Sequence, residues 1–147
     1  MKIYLAGQIS GSSYDKVVSR IEEKKKLLPA YEVLSPMTGK EYLRTEIEFR
    51  AHGYNNPVST NHAIFERDKW MISQCDVVLV DLLETVHVSI GCTMELAWAS
   101  LLGKHTIVVM GIENPHHHAF VLEAADIIFE TMDEAIMYLN KLVGGDV

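Results

Sequence analysis

The run DVVLVDL at residues 76–82 constrains the fold more than any other stretch of the chain. It is apolar apart from two aspartates and rich in valine, which suits a strand covered on both faces. Strands of that kind belong to parallel sheets, whose crossover helices lie above and below. The remaining sequence keeps the alternation such a sheet needs. KIYLAG (2–7) reads as a first strand, 31–34 as a weaker one stopped by Ser35-Pro36, HTIVVM (105–110) as a fourth and DIIFE (126–130) as a last. Helical periodicity falls at 13–29, 61–74, about 93–102 and 133–142, with a short helix before residue 126. Ser12 or Ser13 suits the cap of the first helix, and Asp15 suits its first turn. The pattern predicts an α/β fold: a three-layer α/β/α sandwich on a five-stranded parallel sheet, flavodoxin-like or Rossmann-like, as a single domain over 1–147. Residues 37–61 are the least regular part, carrying Gly39, Gly53 and Pro57, with a helix expected at 40–51. A polar excursion of that length in a small domain reads as a lid or binding loop.

Charge and composition narrow the partners. A net charge of −7, from 13 basic and 20 acidic residues, argues against a nucleic-acid polymer. The densest basic run, Lys24-Lys25-Lys26, reads as a solvated helix face. No stretch approaches the ~18 apolar residues of a membrane span, and the apolar run in MKIYLAGQIS is too short for a secretory signal. Cys75 and Cys92 lack CxxC spacing and suggest neither a disulfide framework nor a zinc knuckle, so an intracellular, cytoplasmic protein is expected. His116, His117 and His118 are adjacent and cannot converge on one ion, and no Glu or Cys stands at a ligand spacing. No metal and no cofactor is expected. One of the three histidines is expected to meet a ligand phosphate or a neighbouring subunit.

Ligands of such sheets bind beyond the carboxyl ends of the strands, which directs attention to loops 7–13, 35–61, 82–95 and 110–118. Asp68 shares a helical stripe with Ile64, Met71 and Ile72, so its carboxylate faces a cavity or a partner, unless the helix is rotated and Asp68 pairs with Lys69 or Arg67 at the surface. Glu95 falls at the start of the apolar helix MELAWASLL, where the helix N-terminus is expected to keep it ionised; a plain helix-start acid is the bland alternative. GQISGSS (7–13) and SIGCT (89–93) offer backbone amides and hydroxyls to an anion or a sugar, or are simply tight turns. The first is neither GxGxxG nor a P-loop. Trp70, Trp98 and Phe65 read as core, although an outward Trp98 would also serve a subunit interface.

Three segments in order, IYLAG (3–7), ERDKWMISQCDVVLV (66–80) and SIGCTMELAWASLLGK (89–104), resemble the nucleoside 2-deoxyribosyltransferase family over nearly the whole chain. The resemblance implies that Glu95 is the nucleophile, Asp68 the acid/base and Tyr4 the residue holding the nucleophile in place. It places His118 about where a neighbouring subunit contributes to the family's sites. Family members acting on free nucleosides carry an aspartate six residues before the nucleophile, where this chain has Ser89. The SxGxxxE arrangement of Ser89, Gly91 and Glu95 is similar to the branch that hydrolyses 2′-deoxynucleoside or pyrimidine nucleoside 5′-monophosphates, and with NPHHHAF it looks most like phage-encoded members. A serine donates to a phosphate that an aspartate would repel. Gly7, Gln8, Ser10 and Gly11 look like that branch's phosphate-contacting loop, without the arginine sometimes found there.

The resemblance thus implies cleavage of the N-glycosidic bond of a (2′-deoxy)nucleoside 5′-monophosphate through a glycosyl–enzyme ester, with Asp68 raised in pKa and Glu95 charged. Base exchange on free deoxynucleosides and a non-catalytic nucleotide-binding module are the competing expectations. The family also implies a homodimer or larger homo-oligomer.

Overall fold

The computed structural model describes residues 1–45 and 48–144. Strands β1 (Lys2–Gly7), β2 (Glu32–Leu34), β3 (Val77–Asp81), β4 (His105–Val109) and β5 (Ile127–Phe129) form one parallel sheet in the order β2-β1-β3-β4-β5. This is the flavodoxin-like order of a doubly wound sheet. Five helices connect and cover it: α1 (Tyr14–Leu27), α2 (Asn61–Ser73), α3 (Ile90–Leu101), α4 (Ala119–Ala124) and α5 (Met132–Leu142).

The alternation of side chains along the strands builds the layers. Tyr4, Ala6, Val78, Val80 and Val108 point to one face, where they meet Met71 and Ile72 of α2, Leu96 and Ala99 of α3 and Val121 of α4. Ile3, Leu5, Val77, Leu79, Ile107 and Val109 point to the other, against Ile21 of α1 and Ala135, Ile136 and Leu139 of α5. Each fully buried aliphatic side chain contributes about 1.5–3 kcal/mol. Both faces of β3 are consumed in this way, as its sequence requires.

The chain leaves β1 toward β2 on one side and returns to β3 on the other, so the strand order reverses between β1 and β3. Gly7 and Asp81 pair at the carboxyl end of that junction. The crevice opens there.

Four expectations need correction. Helix α3 starts at Ile90 rather than near Thr93, because the Ser89 hydroxyl caps it by accepting the Cys92 N–H. The helix expected at 40–51 is a single 3₁₀ turn, Glu41–Thr45; residues 48–50 are not helical, and 46–47 lie outside the described residues. Its physical reason is a backbone clasp: Phe49 N–H donates to Ser12 O (2.7 Å) and Gly11 N–H donates to Phe49 O (3.0 Å). Gly11 adopts φ +81°, a conformation that favours glycine, to present that amide. The clasp seats Phe49 with Met37, Leu43 and Val17 in a small third core beneath the excursion. Third, Trp70 and Phe65 are exposed rather than core; Phe65 packs edge-on against half-buried Trp98 at 4.9 Å. Within the lysine run, Lys24 departs from a solvated face, pairing with Asp81 at 2.8 Å. No helix among the described residues is long and apolar enough to cross a membrane.

Candidate active site

Tyr4 stands on β1 with its ring fully buried against α3, and its hydroxyl donates to Glu95 Oε1 at 2.7 Å. The two residues are 91 positions apart. Burial, with the nearby Glu95 and Asp68 charges, lifts the Tyr4 hydroxyl well above its usual pKa, so it stays a donor. Glu95 lies in the second turn of α3, not the first, and is itself buried. The expectation of a carboxyl kept ionised by the helix N-terminus is overturned: burial pushes it up to about 8, and Asp68 adds to the rise, against the opposing pull of the Tyr4 hydrogen bond and the Lys40 charge. The physical reason is distance. The macrodipole acts within the first turn, and Glu95 lies beyond it.

Asp68 projects from α2, buried with Met71 and Ile72. Burial raises its pKa, opposed by Lys40 and Arg67. Arg67 does reach it, Nη2 donating to Asp68 Oδ1 at 3.3 Å, but inside the protein rather than at its surface. Lys69 pairs with Glu66 instead. The same Arg67 group donates to Pro36 O at 3.0 Å, fastening the start of the excursion to α2.

Asp68 and Glu95 both line a cleft of about 490 Å³ at the crevice. Gly7, Gln8 and Ser10 border it after β1, and Ser89 and Gly91 border it at the start of α3. A Cβ added at Gly91 would meet nothing within 4 Å, so the backbone there stands open to a ligand. Gly11 lies outside this cleft, in an adjoining hollow with Ser12, Lys16, Arg20 and Glu84. Its amide is already used by Phe49, and that of Ser12 by Ile9, so fewer free donors remain in the 7–13 loop than the sequence suggests.

The three histidines separate. His116 is fully buried, and its Nε2 accepts the Ser89 N–H at 2.8 Å. Its Nδ1 is therefore the protonated nitrogen and donates to Asn114 Oδ1 at 2.8 Å. Burial lowers its pKa, which keeps the ring neutral. His117 is exposed and contacts Gly111 O. His118 caps α4, its Nδ1 accepting Phe120 N–H, and does not line the cleft of this chain.

Lys40 was not singled out by its sequence context. It is buried, lines the cleft and has its pKa lowered to about 8, mainly by burial. His116 as a clamp on Ser89 and Arg67 as a fastener of the excursion were missed too. A lysine in a polar stretch carries no periodicity that marks it as buried. Cys92 also borders the cleft, but burial pushes its thiol up to about 12 and leaves it un-ionised.

A floor-bound glutamate beside a second buried carboxyl, under a capped helix start, suits nucleophilic displacement at a sugar carbon. A family model described as nucleoside 2-deoxyribosyltransferase matches residues 3–137. No curated protein matches the chain in sequence. Among solved structures, a 2-deoxyribosyltransferase from the psychrotolerant bacterium Bacillus psychrosaccharolyticus superimposes with a TM-score of 0.66 at 21% identity, over 92% of this chain and 90% of that one. A conserved protein from Enterococcus faecalis V583 gives 0.70 at 12% identity, covering 97% and 98%. The Clostridium botulinum CMP N-glycosidase gives 0.60 at 18% identity, covering 97% and 99%.

Proposed function

Because the chain belongs to the nucleoside 2-deoxyribosyltransferase family, whose enzymes act at N-glycosidic bonds, we propose that it cleaves that bond in a (2′-deoxy)nucleoside 5′-monophosphate with Glu95 as nucleophile and Asp68 as acid/base. The observation that carries this reading is the buried 2.7 Å hydrogen bond from Tyr4 to Glu95. It leaves the second Glu95 oxygen available to the cleft and favours the ionised form that attack requires. Glu95 forms a bond to C1′ as the C1′–N bond breaks. Asp68 protonates the departing base and then takes a proton from the water that releases the sugar. Side chains and water suffice for each step.

The phosphate assignment rests on Ser89 and Gly91 at the α3 N-terminus, with Gln8 and Ser10 opposite. A panel of nucleotides and nucleosides, with free base followed by chromatography, tests it. Release of base from monophosphates supports the reading, and exchange between free nucleosides and added bases would replace hydrolysis by transfer. Ser89→Asp should lower the preference for monophosphate over nucleoside at least 10-fold, by setting a carboxylate against the phosphate. An unchanged preference would remove the phosphate from this end of the cleft.

A second copy of the chain is part of this reading. A hollow lined by Phe65, Met94 and Trp98 joins Asp68 and Glu95 to the exposed apolar face of Trp70, Leu101 and Leu102. A partner seated on that face would close the site and bring a residue such as its His118 to it. Sedimentation of the protein with Trp70→Glu, against the unaltered chain, tests the assembly.

A further inference from the structure

The displacement at Glu95 gives His116 no task, yet a closed chain of hydrogen bonds fixes its ring. Leu82 O can only accept, so the Asn114 atom facing it at 2.7 Å is the amide nitrogen, and Asn114 Oδ1 faces the imidazole. That oxygen in turn can only accept, so His116 Nδ1, at 2.8 Å, carries the proton. At the other end the Ser89 N–H can only donate, so His116 Nε2, at 2.8 Å, is a bare acceptor. Both ends demand the same neutral tautomer. Thr85 braces the chain, its hydroxyl donating to Leu82 O at 2.7 Å. The ring itself is fully buried and does not line the cleft.

What the ring holds is the start of α3. The connection from β3 has neither helix nor strand between Leu82 and Ser89, and its buried residues are Leu82 and Thr85. Both belong to the Asn114 network, so His116 sets where the Ser89 end of the loop lies. The backbone of Ser89 is then fully used. Its N–H goes to His116, and its carbonyl accepts the Thr93 N–H at 3.1 Å and the Thr93 hydroxyl at 2.7 Å. Its Oγ accepts the Cys92 N–H at 3.3 Å, which leaves the hydroxyl proton to give. A helix start leaves its first amides without internal partners. Here His116 takes that of Ser89 and the cap takes that of Cys92, whereas Ile90 and Gly91 border the cleft.

We propose that His116 is a positioning residue for the phosphate end of the substrate: by holding the Ser89 amide, it aims the Ser89 hydroxyl and the Ile90 and Gly91 amides at a 5′-phosphate. This rests on the phosphate assignment above. Without the imidazole acceptor the Ser89 N–H is left unpaired and the first turn of α3 is free to shift. Glu95 is insulated from that shift. It lies a turn further on, tied to Tyr4 and followed by the core residues Leu96 and Ala99. His116 therefore governs how the phosphate is held and leaves the place of the nucleophile alone. It serves the phosphate through Ser89, one residue removed from contact.

Two substitutions in the full chain separate the acceptor from the bulk of the ring. His116→Gln carries a carbonyl oxygen at the reach of Nε2, and His116→Asn keeps a donor for Asn114 but falls short of Ser89. Both are made on a Glu95→Gln background, so that binding is read without turnover. Calorimetry follows the common (2′-deoxy)nucleoside 5′-monophosphates and their parent nucleosides. His116→Asn should weaken the best-bound monophosphate about 10-fold, the scale of a lost hydrogen bond to a charged group, and its parent nucleoside by less than about 3-fold. His116→Gln should restore the monophosphate to within about 3-fold of the background protein. Equal losses on both ligands, or no recovery with glutamine, would overturn the proposal. A background protein that holds the nucleoside as tightly as the monophosphate overturns the phosphate assignment and this proposal together. A preference for monophosphate that survives His116→Asn overturns this proposal alone. Nitrogen-15 resonance of the His116 ring in the unaltered protein depends on no variant: at neutral pH a proton on Nδ1 with none on Nε2 supports the clamp, and a proton on Nε2 overturns it.

Discussion

The regular walls of the cleft and the irregular excursion that roofs it are held by different physics. Tyr4, Glu95 and Asp68 stand on β1, α3 and α2, elements anchored by one continuous core on a single face of the sheet. Residues 35–45 and 48–60 are held by a small satellite core and a few clasps: Phe49 to the 11–12 backbone, Arg67 to Pro36, and Tyr42 to Ser59. In the proposed reaction the first arrangement fixes where bonds form and break, and the second is expected to decide what is admitted.

Substitutions on either side of that divide should separate cleanly. The largest effect belongs to Glu95→Ala, which should cut base release on the order of 10⁴-fold with the fold intact, read by chromatography and far-ultraviolet circular dichroism. Full activity in that variant would dismiss the nucleophile. Tyr4→Phe should cost about 10–100-fold, because the donor that favours ionised Glu95 is lost. The pH dependence supplies its check. Glu95 has its carboxyl at about 8 in the unliganded site, so kcat/KM should rise with pH toward 8, and Tyr4→Phe should move that limb to higher pH.

On the excursion, Phe49→Ala should destabilise by about 3 kcal/mol or less, since its core is small and can collapse. Its signature is a KM that rises several-fold while kcat falls little; an equal fall in kcat would place the excursion within the chemistry. The smallest effect is thermodynamic. A carboxyl raised from 4.5 to about 8 on folding contributes stability below pH 4.5 that is lost as pH climbs through 8. Glu95→Gln should therefore raise stability by about 0.5–2 kcal/mol at pH 8 and change little at pH 4, measured by urea titration.

Legibility followed the same divide. The valine-rich run of β3 and the helical stripe of Asp68 carry their burial in their spacing, so the sheet was readable from sequence and the inward turn of Asp68 was one of the two readings it allowed. Glu95 was readable in place but not in ionisation, because one residue of capping at Ser89 moves the helix start and carries the carboxylate past the first turn. Lys40, Phe49 and the hold of Arg67 on Pro36 were opaque. Their surroundings come from backbone clasps between distant loops, which leave no period in the chain. His116 differs from its neighbours only by the turn at Asn114, which sends one imidazole inward.

With Glu95 as the proposed nucleophile, its bond to Tyr4 makes catalysis a reporter of topology. The first strand and the third helix must both be docked before the nucleophile has its donor, so a chain missing its opening residues or left half-assembled should retain helices yet release no base. Recovery of turnover during renaturation would then mark the moment when the two ends of that 91-residue span meet.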